Sequence, residues 1–568
     1  MRIKDYNERL FDKSNIFLAL YSVNSYICNR ELLTKDDRNS LNRLNDIFDE
    51  DNIDGWIEKI ENRLKGLING DDYLKAKVYF KPKKYEDDKS IFRPIHHSSL
   101  LDQITAVAML NLLIYDFNDE NKVGMSDLSR LIPHNFYGNR VAYDIEHLFI
   151  PWEVQYKKYN KITNEKYRKY HDNHEYKWEV DLDIKDFFPS INPSVLFRYI
   201  SKLLPVNLSD QNKKIILKIL EKLIFVEIEE LDEDDLNRYR GKENDFLCSF
   251  SQGIPQGLPQ SYFFANLLMI RIEKIYKKAF PKSEMFFYVD DSVIFTNEIK
   301  CEADLSDKIK EINCEIKKWI KIGMSKKPKG LPKQLYEYVK ERESSYDIRL
   351  HDLGEKSTAS NISKSSSSEI YLNCIGREIS KTAFELNTGY SDEESMMLLE
   401  KNKKIKIAVE KELDNINIKL QDTTDNSKIG LEAYKKKLIR YRKFFKYRNF
   451  ELMIRTNGID SEIKSDCEQI LQKVVNNQNI ELFFQNFTED IFSGLLSLVL
   501  REMTNSGEKI DELLNLIIKL NLLLFGCDNR KTSYLYQTFS RYFDEELEYN
   551  SENRKYYSLK RKLKGQML

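Results

Sequence analysis

Near the start of the chain apolar residues recur at helical spacing, and Phe17, Leu18, Leu20, Tyr21 and Val23 would share one face of a helix. The stretch YLKAKVYFKPKKYEDDKSIFRPI (73–95) alternates instead, which predicts strand, basic turn, strand. Helical spacing returns from Leu100 to Phe117. Residues 176–300 carry short apolar runs broken by Gly and Pro, the pattern of a mixed helix and strand region. Within them FVEIEELDEDDL (225–236) is an acidic insertion, read as a solvated loop, and SKSSSSE (363–369) is a low-complexity loop. After about residue 385 the texture changes to Leu, Ile, Lys, Glu and Asn with 3.6-residue periods such as LLNLIIKLNLLLF (513–525). The last third is therefore expected to be all helical, without a fixed repeat length. Two domains follow: 1–385 of α+β class and 386–568 all-α.

Composition narrows this only a little. A chain of 568 residues exceeds what one hydrophobic core serves, and 41% hydrophobic with 12% aromatic residues is globular rather than disordered. With 90 Lys+Arg against 91 Asp+Glu, the formal charge of -1 selects no class of partner, so only local charge can. The seven cysteines are scattered without a CxxC pair, which argues against a zinc or disulfide framework. The N-terminal MRIKDYNERLFDKSNIF lacks the apolar core of a signal peptide, and no apolar run approaches the ~18 residues of a spanning helix. A soluble protein of the bacterial cytoplasm, with no membrane partner, is the expectation.

Three segments carry chemistry when taken together. In WEVDLDIKDFFPSI (178–191) strand alternation separates Trp178, Val180 and Leu182 from Glu179, Asp181 and Asp183. The plain reading is a half-buried strand with an acidic solvent face. In FFYVDDSVIF (286–295) two β-rich runs meet at Asp290 and Asp291, a hairpin signal by local turn preference alone. Between them SQGIPQGLPQSYFFANLLM (251–269) packs Gly253, Pro255, Gly257 and Pro259 into a loop that runs into an apolar helix, where backbone can approach an anionic ligand closely. A carboxylate at a strand end facing carboxylates on a hairpin tip suits hard divalent ions. Two such ions about 4 Å apart activate a hydroxyl and stabilise a leaving pyrophosphate.

In this order the segments resemble motifs A, B and C of bacterial reverse transcriptases related to retrons and group II introns. DIKDFFPSI resembles motif A, GIPQGLPQSYFFANLLM motif B and YVDD motif C. KSIFRPI (89–95) with SLLDQITAVAML (99–110) resembles the fingers segment, NFYGNR (135–140) the element before motif A, LHDLGEKS (350–357) motif D and IYLNCIGREIS (370–380) motif E. The resemblance implies right-hand fingers and palm and two Mg²⁺, with Mn²⁺ as a substitute. It gives Asp183, Asp290 and Asp291 the catalytic and metal-binding roles, with Asp183 and Asp290 on both ions and Asp291 in support. Arg93 and Lys89 would hold the incoming triphosphate, Phe188 would exclude the ribose 2′-OH, and Gln256 and Ser261 would line the nucleotide site. Lys356 would protonate pyrophosphate, with GMSKKPKG (323–330) as the alternative source of that lysine. Asp181 and Asp186 would lie beside the site without holding ions.

The long helical region after motif E, without a nuclease-like Cys/His cluster, is similar to the abortive-infection (AbiK-like) anti-phage group, whose HEAT-like helical domain stands in the thumb's place. That resemblance implies dNTPs as substrates, template-independent and protein-primed synthesis, single-stranded DNA attached to a tyrosine, and a homo-oligomer, trimer or hexamer. RNA is a further partner it admits. A templated retron-like or group II-like enzyme, an RNA polymerase, which the bulk of Phe188 counts against, and a retired palm used as a scaffold are the other readings. In YKKKLIRYRKFFKYR (434–448) Tyr434, Leu438, Tyr441 and Phe445 share one helical face while Arg440, Arg442, Lys443 and Lys446 flank it. The helix is open to two readings, a contact to a nucleic-acid strand or a solvated amphipathic surface.

Overall fold

The computed structural model describes residues 5–28, 35–49, 53–86, 89–119, 122–142, 147–206, 208–229, 250–365, 369–374 and 392–422, with a few positions between 431 and 439. The chain divides into two compact units. Met1–Val78 with Ile95–Ser365 form one, and Tyr79–Pro94 with Ser366–Leu568 form the other.

After a short helix at Tyr6–Leu10, the first unit continues with helix α1 (Lys13–Cys28), whose buried stripe is Ile16, Leu20, Val23 and Ile27. Tyr21, expected on that stripe, is 56% exposed, because the register places it across the helix from Leu20 and Val23. A helix at Lys35–Asp49 and helix α2 (Ile53–Asn69) follow, then strands β1 (Leu74–Glu86) and β2 (Lys89–Ser98). The expected basic turn lies within β1, whose strand runs through Lys81, Lys83 and Lys84 to Glu86, and β2 begins at Lys89. Helix α3 (Leu100–Ile114) is nearly all buried, opens on a Ser99 cap and stops at Ile114. The next residues, Tyr115–Asp119, turn extended and pair with Lys122–Met125, so the helical spacing read to Phe117 overshoots. Asp102 of α3 is buried yet satisfied, by the Arg63 guanidinium at 2.7 Å and the Lys75 amide at 2.8 Å.

Helix α4 (Trp152–Asn173) ends at His174 in a left-handed cap and leads into strand β3 (Trp178–Leu182). Helices α5 (Pro193–Leu203) and α6 (Asp210–Ile224) precede β4 (Val226–Ile228), which joins a sheet of order β2-β1-β4. Residues 230–249, which hold most of the acidic insertion, lie outside the described residues. Helix α7 (Pro259–Ala279), the hairpin β5 (Glu284–Tyr288) and β6 (Asp291–Thr296), helices α8 (Glu302–Met324) and α9 (Lys333–Glu341), and strand β7 (Thr358–Asn361) complete this unit.

The second sheet, order β5-β6-β3-β7, is antiparallel throughout. Its register sorts the faces. Val180, Leu182, Met285, Phe287 and Ile294 point to one side, where Tyr276 of α7 stacks on Phe287 at 6.0 Å. Glu179, Asp181, Phe295 and Asp291 point to the other. That second face is not the open acidic surface expected from sequence. Tyr170 of α4 packs on Phe295 at 5.1 Å, and Glu179, opposite Phe295 in the ladder, is only 2% exposed. The Asp181 end of the same face stays partly open.

In the second unit, helix α10 (Asp392–Asp422) aligns Ile405, Val409, Leu413 and Ile416 on one stripe that packs with Leu372 and Leu438. Residues 369–374, the start of the motif E resemblance, are helical. The rest of that motif, residues 366–368 of the serine run, the 513–525 pattern and Arg440, Arg442, Lys443 and Lys446 lie outside the described residues.

Candidate active site

Chain direction alone puts the acidic residues together. Asp183 is the first residue beyond β3, on the face of Asp181, and is 8% exposed. The hairpin β5–β6 closes through the pair Tyr288↔Asp291, with Val289 and Asp290 as its two-residue turn. Because Leu182 pairs with Ser292, that turn stands beside the end of β3. The Ser292 hydroxyl donates to the Leu182 carbonyl at 3.2 Å and locks the register.

The turn is seated on the segment 135–140. The Phe287 amide donates to the Asn135 carbonyl at 2.9 Å, and the Tyr137 amide donates to the Phe287 carbonyl at 2.8 Å. A Cβ on Gly138 would meet Val289 Cγ2 at 2.4 Å, so only glycine allows this approach. Asn266 of α7 then donates to the Gly138 and Asn139 carbonyls at 2.8 and 2.9 Å. Val289 itself sits at φ 57, a region that a β-branched residue occupies only when its surroundings over-determine it.

Asp183, Asp290 and Asp291 converge closely enough to act on one another. Burial, then the charge of Asp291, then that of Asp183, push the Asp290 carboxyl up to about 7. Lys356 opposes them weakly from the far side and pairs directly with Asp183 Oδ2. It is carried there because residues 349–351 continue the ladder past β3, with the Lys185 amide on the Arg349 carbonyl and the His351 amide on the Asp183 carbonyl. Asp181 receives the Thr358 hydroxyl of β7 at 3.2 Å, and Asp186 adopts a left-handed conformation ahead of the short helix Phe187–Ser190.

The Gly/Pro loop wraps the other side. Gly253, at φ 66, lies so close to Phe188 that a Cβ would fall 2.2 Å from its carbonyl, and the Ile254 amide donates to that carbonyl. The Phe188 ring is buried and meets Tyr262 edge-on at 5.7 Å. The Gln256 carbonyl accepts the His96 amide at 2.7 Å and faces His96 Nδ1 at 3.0 Å. Ser261, in the first turn of α7, is buried with no hydrogen-bond partner for its hydroxyl among the described residues. Lys89 and Arg93 lie in β2, but their side chains are outside the described residues.

Sequence reasoning missed two supports of the site. Tyr276 lies beneath the acidic group, and burial together with the charges of Asp183 and Asp290 raises its hydroxyl pKa. Nothing marks it among the many tyrosines of the chain. Gly138 was visible only as part of NFYGNR, and its contact to Val289 spans 151 positions of sequence.

The donor set fits a hard divalent ion. Carboxylate oxygens that repel one another gain most from a cation between them, and Asp291 is exposed on the solvent side. Among the described residues no group of three or more His, Cys, Asp or Glu is arranged to hold a metal ion by itself. Mg²⁺ needs only one or two carboxylates when water and substrate phosphate complete its shell.

Residues 128–329 match the family model of the reverse transcriptase (RNA-dependent DNA polymerase) domain, a span that contains Asp183, the Gly/Pro loop and the YVDD turn. No curated protein matches the chain. The chain carries a reverse transcriptase domain and is a nucleotidyltransferase enzyme of the DNA polymerase type.

Proposed function

We propose that this enzyme builds DNA from dNTPs by two-metal-ion nucleotidyl transfer, without a template and from a protein hydroxyl, in abortive-infection defence against phage. The convergence of Asp183, Asp290 and Asp291, all within the matched span, beside Lys356, which lies beyond it, supports the catalytic part. The defence role rests on layout, a fingers and palm sequence followed by a long stretch of helical periodicity without a nuclease-like Cys/His pattern.

Asp183 and Asp290 would hold the ions, with Asp291 in support. When bound, the ions supply charge for the attacking hydroxyl and the leaving pyrophosphate. The chain's own residues do the positioning. Asn266 and Gly138 keep the turn in register, Gly253 holds Phe188 against Tyr262 where it would exclude a 2′-OH, and Lys356 is within reach to give a proton to the departing phosphate. Arg93 and Lys89 would hold the triphosphate, and Gln256 and Ser261 would border the base.

Full-length protein given Mg²⁺ and dNTPs, with neither template nor primer, is expected to make long DNA, found by mass analysis as a covalent adduct on the protein. Asp290→Ala with Asp291→Ala should abolish it. Product that requires an RNA template and an annealed primer would replace this reading with a templated reverse transcriptase, which the description of the matched domain favours.

A further inference from the structure

The basic run GMSKKPKG is left unused once Lys356 is found on Asp183. It forms the exit of α8 and the loop to α9, in the first unit. This loop is a built one. Pro328 and Leu331 are buried, the Tyr336 hydroxyl donates to the Met324 carbonyl at 2.7 Å, and the Lys327 ammonium donates to the Leu331 carbonyl at 2.7 Å. Gly330 lies against α6, where a Cβ would meet Leu217 Cδ1 at 2.8 Å. Leu217 shares its helix face with Lys213 and Lys214, four and three residues earlier. Two elements thus bring Lys213, Lys214, Lys326, Lys327 and Lys329 to one exposed surface.

The bland reading of a charge run is a solvated face, in which lysines alternate with carboxylates or stand singly. Elsewhere on this unit some lysines meet carboxylates one turn away, as in Lys277–Glu273, Lys310–Asp307 and Lys318–Glu315, and others such as Lys202 and Lys282 stand singly among the described residues. None of the five lysines is in an ion pair with a carboxylate of the described residues. In a chain of nearly zero net charge, unmatched positive charge on a rigid loop beside a helix is a localised anion-attracting field.

We propose that this surface binds the phosphodiester backbone of a single-stranded nucleic acid, either DNA leaving the active site or an RNA. It deepens the polymerase reading and rests on it for the choice of a nucleic acid over an acidic protein. Lysines act here as point charges on phosphates, so binding is independent of base sequence and steeply salt-dependent.

The test uses full-length protein, without dNTPs or metal, and labelled oligo-dT and oligo-U of about twenty nucleotides, long enough to cover such a surface. Anisotropy titrations across salt concentrations give the slope of log affinity against log salt. Lys326→Gln, Lys327→Gln and Lys329→Gln together are expected to reduce that slope by about 2, at roughly 0.7 per lost phosphate contact. Lys213→Gln with Lys214→Gln should reduce it further. The corresponding arginine set should keep it, which separates charge from folding, and glutamine at the paired Lys277, Lys310 and Lys318 should leave it unchanged. A reduced slope with oligo-dT alone identifies the ligand as the DNA product, and with oligo-U alone as an RNA. An unchanged slope in both arms overturns the proposal, as does loss of binding in the arginine set or equal competition by polyglutamate. Wild-type DNA synthesis is measured separately. A protein that binds as expected but makes no DNA refutes the polymerase proposal alone, and one that makes DNA with no change in slope refutes this surface alone.

Discussion

Asp290 shows what a single side chain costs when it is placed for chemistry. Its carboxyl is pushed up to about 7 by burial and by Asp291 and Asp183, so the folded state disfavours its ionised form. The associated stability is fully present below the unfolded carboxylate pKa near 4 and is lost as pH rises towards 7. Above that, the ion-free protein carries the whole electrostatic burden. Asp290→Asn is therefore expected to abolish synthesis yet stabilise the ion-free protein at pH 8, by on the order of 1 kcal/mol once solvent screening at the turn is allowed for. Thermal unfolding in chelator checks this, and a variant less stable than wild type at pH 8 would contradict it. Added Mg²⁺ should raise the unfolding temperature of wild type and not of the variant, because only ions that bind the native site stabilise it.

Among the elements, the Gly/Pro loop is tied to the end of β2 through His96. Burial lowers the His96 pKa to about 4, against a weaker opposing effect of its hydrogen bond to Gln256. A histidine held neutral in the fold contributes stability above its unfolded pKa near 6.5, lost as pH falls through the folded value. From pH 7 to pH 5 the protein should lose about 2 kcal/mol from this group, and His96→Gln should flatten that dependence. Urea midpoints at the two pH values decide it, and parallel losses in both proteins would show that another group is responsible.

The hairpin at Asp290, the β1–β2 pair and α1 were legible because period and turn chemistry are local. The burial of Glu179 was not, because it depends on α4, whose mean hydropathy is low and whose inward face is built of tyrosines such as Tyr167 and Tyr170. The acids were legible in order, whereas the position of Lys356 on Asp183 required knowing that residues 349–351 extend the ladder past β3.

For the molecule as a whole, the division into units does not follow the order of the chain. Tyr79–Pro94, the far part of the β1–β2 pair, belongs with Ser366–Leu568 rather than with the strands that begin and end it. A chain cut after Ser365 would leave that segment without the rest of its unit. Limited proteolysis should then cleave within 79–94 in the shortened protein and spare it in the full chain; equal cleavage would mean that the segment is held by the first unit alone. The seat beneath the YVDD turn bears on how such chains diverge. Gly138, Asn266 and Val289 meet across three separate segments, so a change at one narrows what the others tolerate. A library that randomises residue 289 alone should return few active clones, while one that varies 138, 266 and 289 jointly should return combinations that no single step could reach.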